Sequence, residues 1–388
     1  MNDPRHAGIA AELDSIRAAG LWRRCRCVGS PAGPVALRDG RRLVVLASND
    51  YLDLARDPRV VGAAAGAART WGAGSGGSRL VTGTQPPHEA LERHLAAFKG
   101  TEEAILYATG YMANVGAVSA MVGRGDAVYS DALNHASIID GCRLSGADVF
   151  VYRHLDLDDL DRLLARGRGY RRRLVVSDGV FSMDGDRLDL PRFLEACRRH
   201  DAFSMVDEAH ALGVVGATGR GLAEHFGCGH PDLLMGTLSK ALGSEGGYVC
   251  GTAQIVEYLR QKSRAFIFST APGAPAVAAA AAALSILEGE PERVERLRDN
   301  VRFLLAELAA RGIVATTGSA IVPLVIGDEA RAMAASAALE KAGFLVTAIR
   351  YPTVARGSAR LRVALMSSHE RADMTRAAEA LARVLTVR

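Results

Sequence analysis

From about residue 100 onward the chain keeps returning to one pattern. A short apolar, β-rich run is followed by a helix-forming stretch. The runs are 103–107, 127–129, 148–152, 173–177, 203–206 and 233–235, and helical segments at 86–98, 112–121 and 190–199 lie among them. Strands joined through helices run parallel, and the helices cover both faces of the sheet. The pattern therefore predicts an α/β fold around a mostly parallel sheet. In an open sheet of that kind, ligands bind outside the carboxyl ends of the strands.

The 388 residues allow two or three domains at roughly 150 residues each. The expected division is an N-terminal arm (1–45), a large domain (46–288) closed by an alanine-rich helix after Pro275, and a C-terminal small domain (289–388) with its own helices and strands. Hydrophobic residues make up 49% and charged residues 23%, which fits a globular chain and not a disordered one. The net charge of +4 does not predict nucleic-acid binding, yet it leaves room for an anionic substrate. The opening Met-Asn-Asp-Pro-Arg-His has no apolar signal core, so a cytoplasmic protein is expected. The longest uncharged run, 265–287, is broken by Pro272, Gly273 and Pro275 and is mostly alanine in its second half, so no membrane span is expected. Six cysteines occur without any C-x-x-C, and free thiols are expected. His225, Cys228 and His230 lack a second ligand pair at zinc spacing, so no metal site is expected.

Lysine chemistry has a short list of candidates: Lys99, Lys240, Lys262 and Lys341 stand against 43 arginines. Two predicted strands end in polar clusters. Phe203-Ser-Met-Val-Asp207 closes on a carboxylate, with His210 three residues on. Leu233-Leu-Met-Gly-Thr237-Leu-Ser239-Lys240 runs a strand into a Thr-x-Ser-Lys turn. A carboxylate there can pair with a cationic ring nitrogen, a lysine can form a Schiff base, and the hydroxyls can hold a phosphate. Together they suit pyridoxal phosphate. A third strand turns into a helix at Thr109-Gly110-Tyr111, where backbone amides can bind phosphate. His135, in Ser130-Asp-Ala-Leu-Asn-His135, offers a flat ring for stacking on a cofactor. The run Trp71-Gly72-Ala-Gly74-Ser-Gly-Gly77 matches G-x-G-x-x-G, but a helix precedes it where a dinucleotide fingerprint needs a strand. It reads as a loop that lets backbone approach backbone or a ligand. A nicotinamide-dependent oxidoreductase is the rival reading of that loop. A non-catalytic scaffold is a further rival, but it has no use for a Schiff-base lysine.

In chain order these motifs resemble the α-oxoamine synthases, fold-type I enzymes that use pyridoxal phosphate to condense an amino acid with an acyl-CoA, losing carbon dioxide. The landmarks are Ser48-Asn-Asp-Tyr-Leu52, 74–83, Leu133-Asn-His-Ala-Ser-Ile-Ile-Asp-Gly141, Val180-Phe-Ser-Met-Asp-Gly-Asp186, Val206-Asp-Glu-Ala-His-Ala211, Thr237-Leu-Ser-Lys240 and Gly357-Ser-Ala-Arg-Leu-Arg362. The resemblance implies a large domain with a mostly parallel seven-stranded sheet, plus a smaller α+β domain. It implies that Lys240 holds the cofactor and serves as the base, that Asp207 pairs with the ring nitrogen, and that His135 stacks on the ring. It gives Ser182 and His210 the ring oxygen, Gly110, Tyr111, Thr237 and Ser239 the phosphate, and Arg362 the amino-acid carboxylate. Asn49 and Arg23 would contact substrate or acyl chain. Thr270, in Phe268-Ser-Thr-Ala, would reach the phosphate from the partner subunit of a homodimer.

Within the family, 75–83 and Ala348-Ile-Arg-Tyr-Pro-Thr-Val354 resemble the biotin-pathway branch, which joins L-alanine to pimeloyl-CoA or a pimeloyl-carrier protein. Tyr351 and Leu242-Gly-Ser-Glu245 depart from that branch near the acyl and cofactor regions. The alternative within the family is another amino acid or acyl-CoA, such as glycine with acetyl-CoA.

Overall fold

The computed structural model describes residues 6–167 and 169–386. The first five residues, on which the expectation of no signal segment largely rests, lie outside them.

A seven-stranded sheet forms the centre. Its spatial order is Glu103–Tyr107, Gly247–Gly251, Leu233–Thr237, Phe203–Asp207, Arg173–Asp178, Ala127–Asp131 and Asp148–Tyr152. All neighbours are parallel except at Gly247–Gly251, which runs antiparallel to both strands beside it. Reading apolar runs finds six of these strands. It misses Gly-Tyr-Val-Cys-Gly because glycine at each end reads as turn.

The strands carry apolar residues at consecutive positions because both faces are covered. Ala104, Leu106, Val175, Val206 and Leu234 enter one core cluster. Their neighbours Ile105, Tyr107, Leu174, Val176, Met205, Leu233 and Met235 enter the other, as the two-residue side-chain period requires. Each such side chain, fully buried, contributes roughly 1.5–3 kcal/mol, so the strand ends are held by a rigid base.

Helix starts are set by capping side chains. Thr109 accepts from the Met112 amide ahead of Gly110–Met121, and Asp189 accepts from Arg192 ahead of Leu190–Arg199. The uncharged run 265–287 is split between Arg264–Ile267 and Ala274–Gly289, and among the described residues no helix is long and apolar enough to cross a membrane.

After Gly289 come the helix Glu292–Ala309 and a second sheet of Ile321–Gly327, Ala359–Ala364 and Thr347–Ile349. A hairpin of Val35–Arg38 and Arg41–Val45 pairs with Phe344–Leu345, so the last residues of the expected arm join the C-terminal segment. Residues 72–77 follow the helix Pro58–Trp71, not a strand. The Gly77 carbonyl accepts from the Ala271 amide at 3.0 Å, and a Cβ on Gly83 would sit 2.2 Å from that carbonyl oxygen. The glycines thus serve a close backbone approach to the segment that carries Thr270.

Candidate active site

The carboxyl ends of the central strands surround a cavity of about 240 Å³. Lys240, Asp207, His210, His135, Ser182, Gly110, Tyr111, Thr237 and Ser239, all singled out in the sequence, line it. Asn114, Ser137 and Asp178 line it too, and the motif reading had given none of them a role.

Three strand ends build the floor. Asp178 and Asp207 are register partners on adjacent parallel strands, so their carboxyls stand side by side. Burial, and then the neighbouring Asp207 charge, push the Asp178 pKa well above the usual carboxylate range. Both effects favour the neutral form of Asp178. Asp207 accepts from the Ala209 amide at 2.8 Å and from Asn114 Nδ2 at 2.7 Å. Asn114 also donates to Ser137 Oγ at 2.9 Å, which lies 2.7 Å from His135 Nδ1. The His135 amide donates to Asp178 at 2.8 Å. The ring is thus fixed through its side chain and its backbone. Burial lowers its pKa and keeps it neutral, which suits a ring that stacks.

Lys240 Nζ lies 3.0 Å from His210 Nε2. Burial lowers the Lys240 pKa, opposed by Asp207 and Asp178, so its neutral amine is more accessible than that of a surface lysine. Burial, with Lys240 and Arg362 nearby, pushes His210 well below its ordinary value, so it is neutral. His210 Nδ1 is 2.6 Å from the Tyr51 hydroxyl. That hydroxyl, pushed up to about 12 by burial against the pull of Arg362, reaches Asn49 Oδ1 at 3.3 Å. Asn49 Oδ1 in turn accepts from Arg362 Nη2 at 3.1 Å, and Arg362 Nε donates to the Ser182 carbonyl at 2.5 Å. A continuous hydrogen-bonded chain thus joins Lys240 to Arg362 through His210, Tyr51 and Asn49. Tyr51 belongs to the Ser48–Leu52 motif, whose sequence carries no sign of this contact.

The other end of the cavity is a donor cluster. The helix Gly110–Met121 leaves its first amides without helical acceptors, and the Thr237 and Ser239 hydroxyls lie 2.8 Å apart beside it. A Cβ on Gly110 would come within 3.1 Å of Thr237 Oγ1, so glycine is what lets helix and turn close on one point. An amine, an acidic floor and an anion cradle therefore occupy one enclosed space, and the set fits pyridoxal phosphate. Arg23 and Thr270 do not line this cavity and both are exposed in the single chain.

Residues 41–381 match the family described as aminotransferase class I and II. The chain is 53% identical to the 8-amino-7-oxononanoate synthase of Anaeromyxobacter dehalogenans over 379 residues, covering 97% of this chain and 95% of that one. Among solved structures it resembles a serine palmitoyltransferase from S. paucimobilis with a bound PLP–myriocin aldimine, at 33% identity and a TM-score of 0.92 over 98% of this chain and 97% of that one. The 8-amino-7-oxononanoate synthase of Francisella tularensis has 28% identity and a TM-score of 0.76 over 88% of this chain and 97% of that one. Both structural likenesses agree with the seven-stranded α/β architecture of a fold-type I transferase.

Proposed function

The chain belongs to the class I and II aminotransferase family, and from that premise we propose that it condenses L-alanine with a pimeloyl thioester to give 8-amino-7-oxononanoate, carbon dioxide and the free thiol, a step of biotin synthesis. It is a pyridoxal-phosphate-dependent acyltransferase. The observation that carries the chemistry is the buried Lys240 amine facing Asp207 within a cavity that ends in an anion cradle. Sequence likeness selects the substrates. At 53%, identity to a named 8-amino-7-oxononanoate synthase is well above the 33% to serine palmitoyltransferase, although the latter's fold likeness is greater, with a TM-score of 0.92 against 0.76.

When bound, pyridoxal phosphate supplies a carbonyl that joins amines and a ring that draws electrons from the bonds at the adjacent carbon. The protein's own groups do the rest. Gly110, Tyr111, Thr237 and Ser239 would hold the phosphate. Asp207, its carboxylate held by the Ala209 amide and Asn114, would face the ring nitrogen. His135 would cover one ring face. Ser182 and His210 hydrogen-bond the ring oxygen. Arg362 holds the alanine carboxylate by its planar fork, with Asn49 orienting the guanidinium. Lys240 Nζ takes the proton from the alanine Cα.

The working form is a homodimer, and the protein is cytoplasmic. Support for the dimer comes from exposed apolar side chains. Tyr111, Leu133 and Phe268 are 48%, 52% and 71% exposed, an apolar rim that a second subunit would cover. Ser78 bridges Thr270 and Ser269 reaches Met112, so this rim is continuous with the segment expected to cross the interface. The division at 45/46 and 288/289 is part of the same reading, with Arg23 on the arm serving the acyl chain. The donor is pimeloyl-CoA or a pimeloyl-carrier protein.

The test is thiol release by the purified protein, with L-alanine against glycine and pimeloyl-CoA against acetyl-CoA. Release that requires L-alanine and pimeloyl-CoA supports the proposal. Preference for glycine with acetyl-CoA would replace it with the other family reaction.

A further inference from the structure

A second cavity, of about 510 Å³, opens between the turn that follows His210 and the helix Glu292–Ala309. Apolar side chains such as Leu297 and Val301 share its wall with Arg187, Arg298, Arg302 and His225. Arg298 is satisfied by the Gly216 carbonyl, and Arg302 pairs with Asp299. Arg187 differs from both. Among the described residues its guanidinium makes no hydrogen bond and no ion pair. Burial pushes its pKa down, and no carboxylate acts against that. Burial lowers the His225 pKa as well, with Arg187 and Arg298 adding to the effect, so the cavity holds an uncompensated positive potential.

Glu224 is the only carboxylate lining the cavity among the described residues. Its oxygens are taken up by the Thr218 amide and hydroxyl and by the Arg220 amide, at 2.7–3.1 Å. It is therefore committed to its own turn. A half-buried cation without a partner destabilises a fold unless an anion joins it. The guanidinium fork fits a carboxylate or phosphate in two parallel hydrogen bonds, and the apolar wall rewards a hydrocarbon body.

We propose that this cavity binds a small organic anion, a carboxylate or phosphate carried on a short apolar body, with Arg187 as its anchoring cation. The site is separate from the active-site cavity, whose lining includes none of these residues.

Calorimetric titration of the cofactor-loaded full chain tests it, with adipate as probe, 1,6-hexanediol as the neutral counterpart and inorganic phosphate as the bare anion. Adipate is expected to bind, and Arg187→Gln to weaken that binding by about tenfold or more, the scale of a lost charged hydrogen bond. Hexanediol should not bind, and phosphate should bind more weakly than adipate. Arg187→Gln should also raise the unliganded Tm slightly, since it removes an unpaired half-buried charge, and should leave turnover unchanged. Those two readouts separate loss of the site from loss of the fold. Arg302→Gln, at a residue with its own carboxylate partner, should weaken adipate less. Equal adipate binding by wild type and Arg187→Gln would overturn the proposal, as would phosphate binding as tightly as adipate.

Discussion

The inner and outer walls of the active site are built differently. The inner wall stands on strand ends whose side chains are buried on both faces of the sheet, and its main polar groups pair within one chain: Asp207 with Asn114, His135 with Ser137, Lys240 with His210. The outer wall is the proposed part: Arg23 and Thr270 would complete it from a second subunit or the arm, and in the single chain both are exposed and neither lines the cavity. The contrast teaches where chemistry and choice reside. Proton transfer at Cα needs fixed geometry, which rigid strand ends supply. On the proposed reading, acyl-chain preference would reside in the exposed segments that a second subunit completes.

Exchange of the paired carboxyls is the strongest way to probe the inner wall. Asp207→Asn should lower kcat by roughly 10²-fold, because the charge facing the ring nitrogen is lost. Asp178→Asn should cost no more than about threefold, since burial and the Asp207 charge already favour the neutral form that asparagine mimics. Steady-state kinetics on both variants checks this, and equal losses would mean that the two carboxyls share the charge.

Tyr51→Phe comes next. It breaks the chain between His210 and Asn49, and the loss of one hydrogen bond worth ~1 kcal/mol predicts a fall in kcat of about fivefold. The pH–rate profile should shift as well, because His210 loses the partner of Nδ1. A change in KM alone would show that Tyr51 only shapes the substrate pocket.

At the outer wall the expected effect is smaller and concentration-dependent. Thr270→Ala should raise the pyridoxal phosphate concentration needed for half-saturation by about threefold to fivefold, one hydrogen bond's worth. It should do so only at protein concentrations where sedimentation shows the dimer. The same effect on a monomer would put Thr270 in its own subunit's site and remove the contrast between the walls.

The smallest effect concerns stability. His154 bridges Asp131, at a strand end, to Asp186, on the turn after Ser182, at 2.9 Å each. Burial alone would lower its pKa, but the two carboxylates outweigh that and raise it to about 10. A folded-state pKa above the unfolded value means that the stabilisation is full below about pH 6.5 and is lost as pH rises through about 10. The Tm deficit of His154→Gln should therefore be present at pH 6–7 and vanish above pH 10. A deficit unchanged with pH would assign His154 a packing role instead.

The sequence made the inner wall legible because its residues sit at the ends of apolar runs, where Asp207 and Lys240 interrupt a pattern. Asn114 was hidden inside a helix that reads as uniformly apolar, and its role depends on a contact with Asp207 that spans 93 positions. Asp178 ends a strand just as Asp207 does, but only the parallel register brings the two together. The strand Gly247–Gly251 was missed because its glycines read as turn. The pairing of Arg41–Val45 with Phe344–Leu345 joins opposite ends of the chain, and no local pattern carries such a contact.

The most direct measurement of the central claim is hydrogen exchange at the alanine Cα in D₂O, followed by NMR on the cofactor-loaded protein without any thioester. Wild type should exchange the α-proton. Lys240→Ala, loaded with pyridoxal phosphate and L-alanine, should exchange it ~10³-fold more slowly, the scale of a lost positioned base. Exchange by Lys240→Ala at the wild-type rate would contradict the account, because the base would then be another group in the cavity.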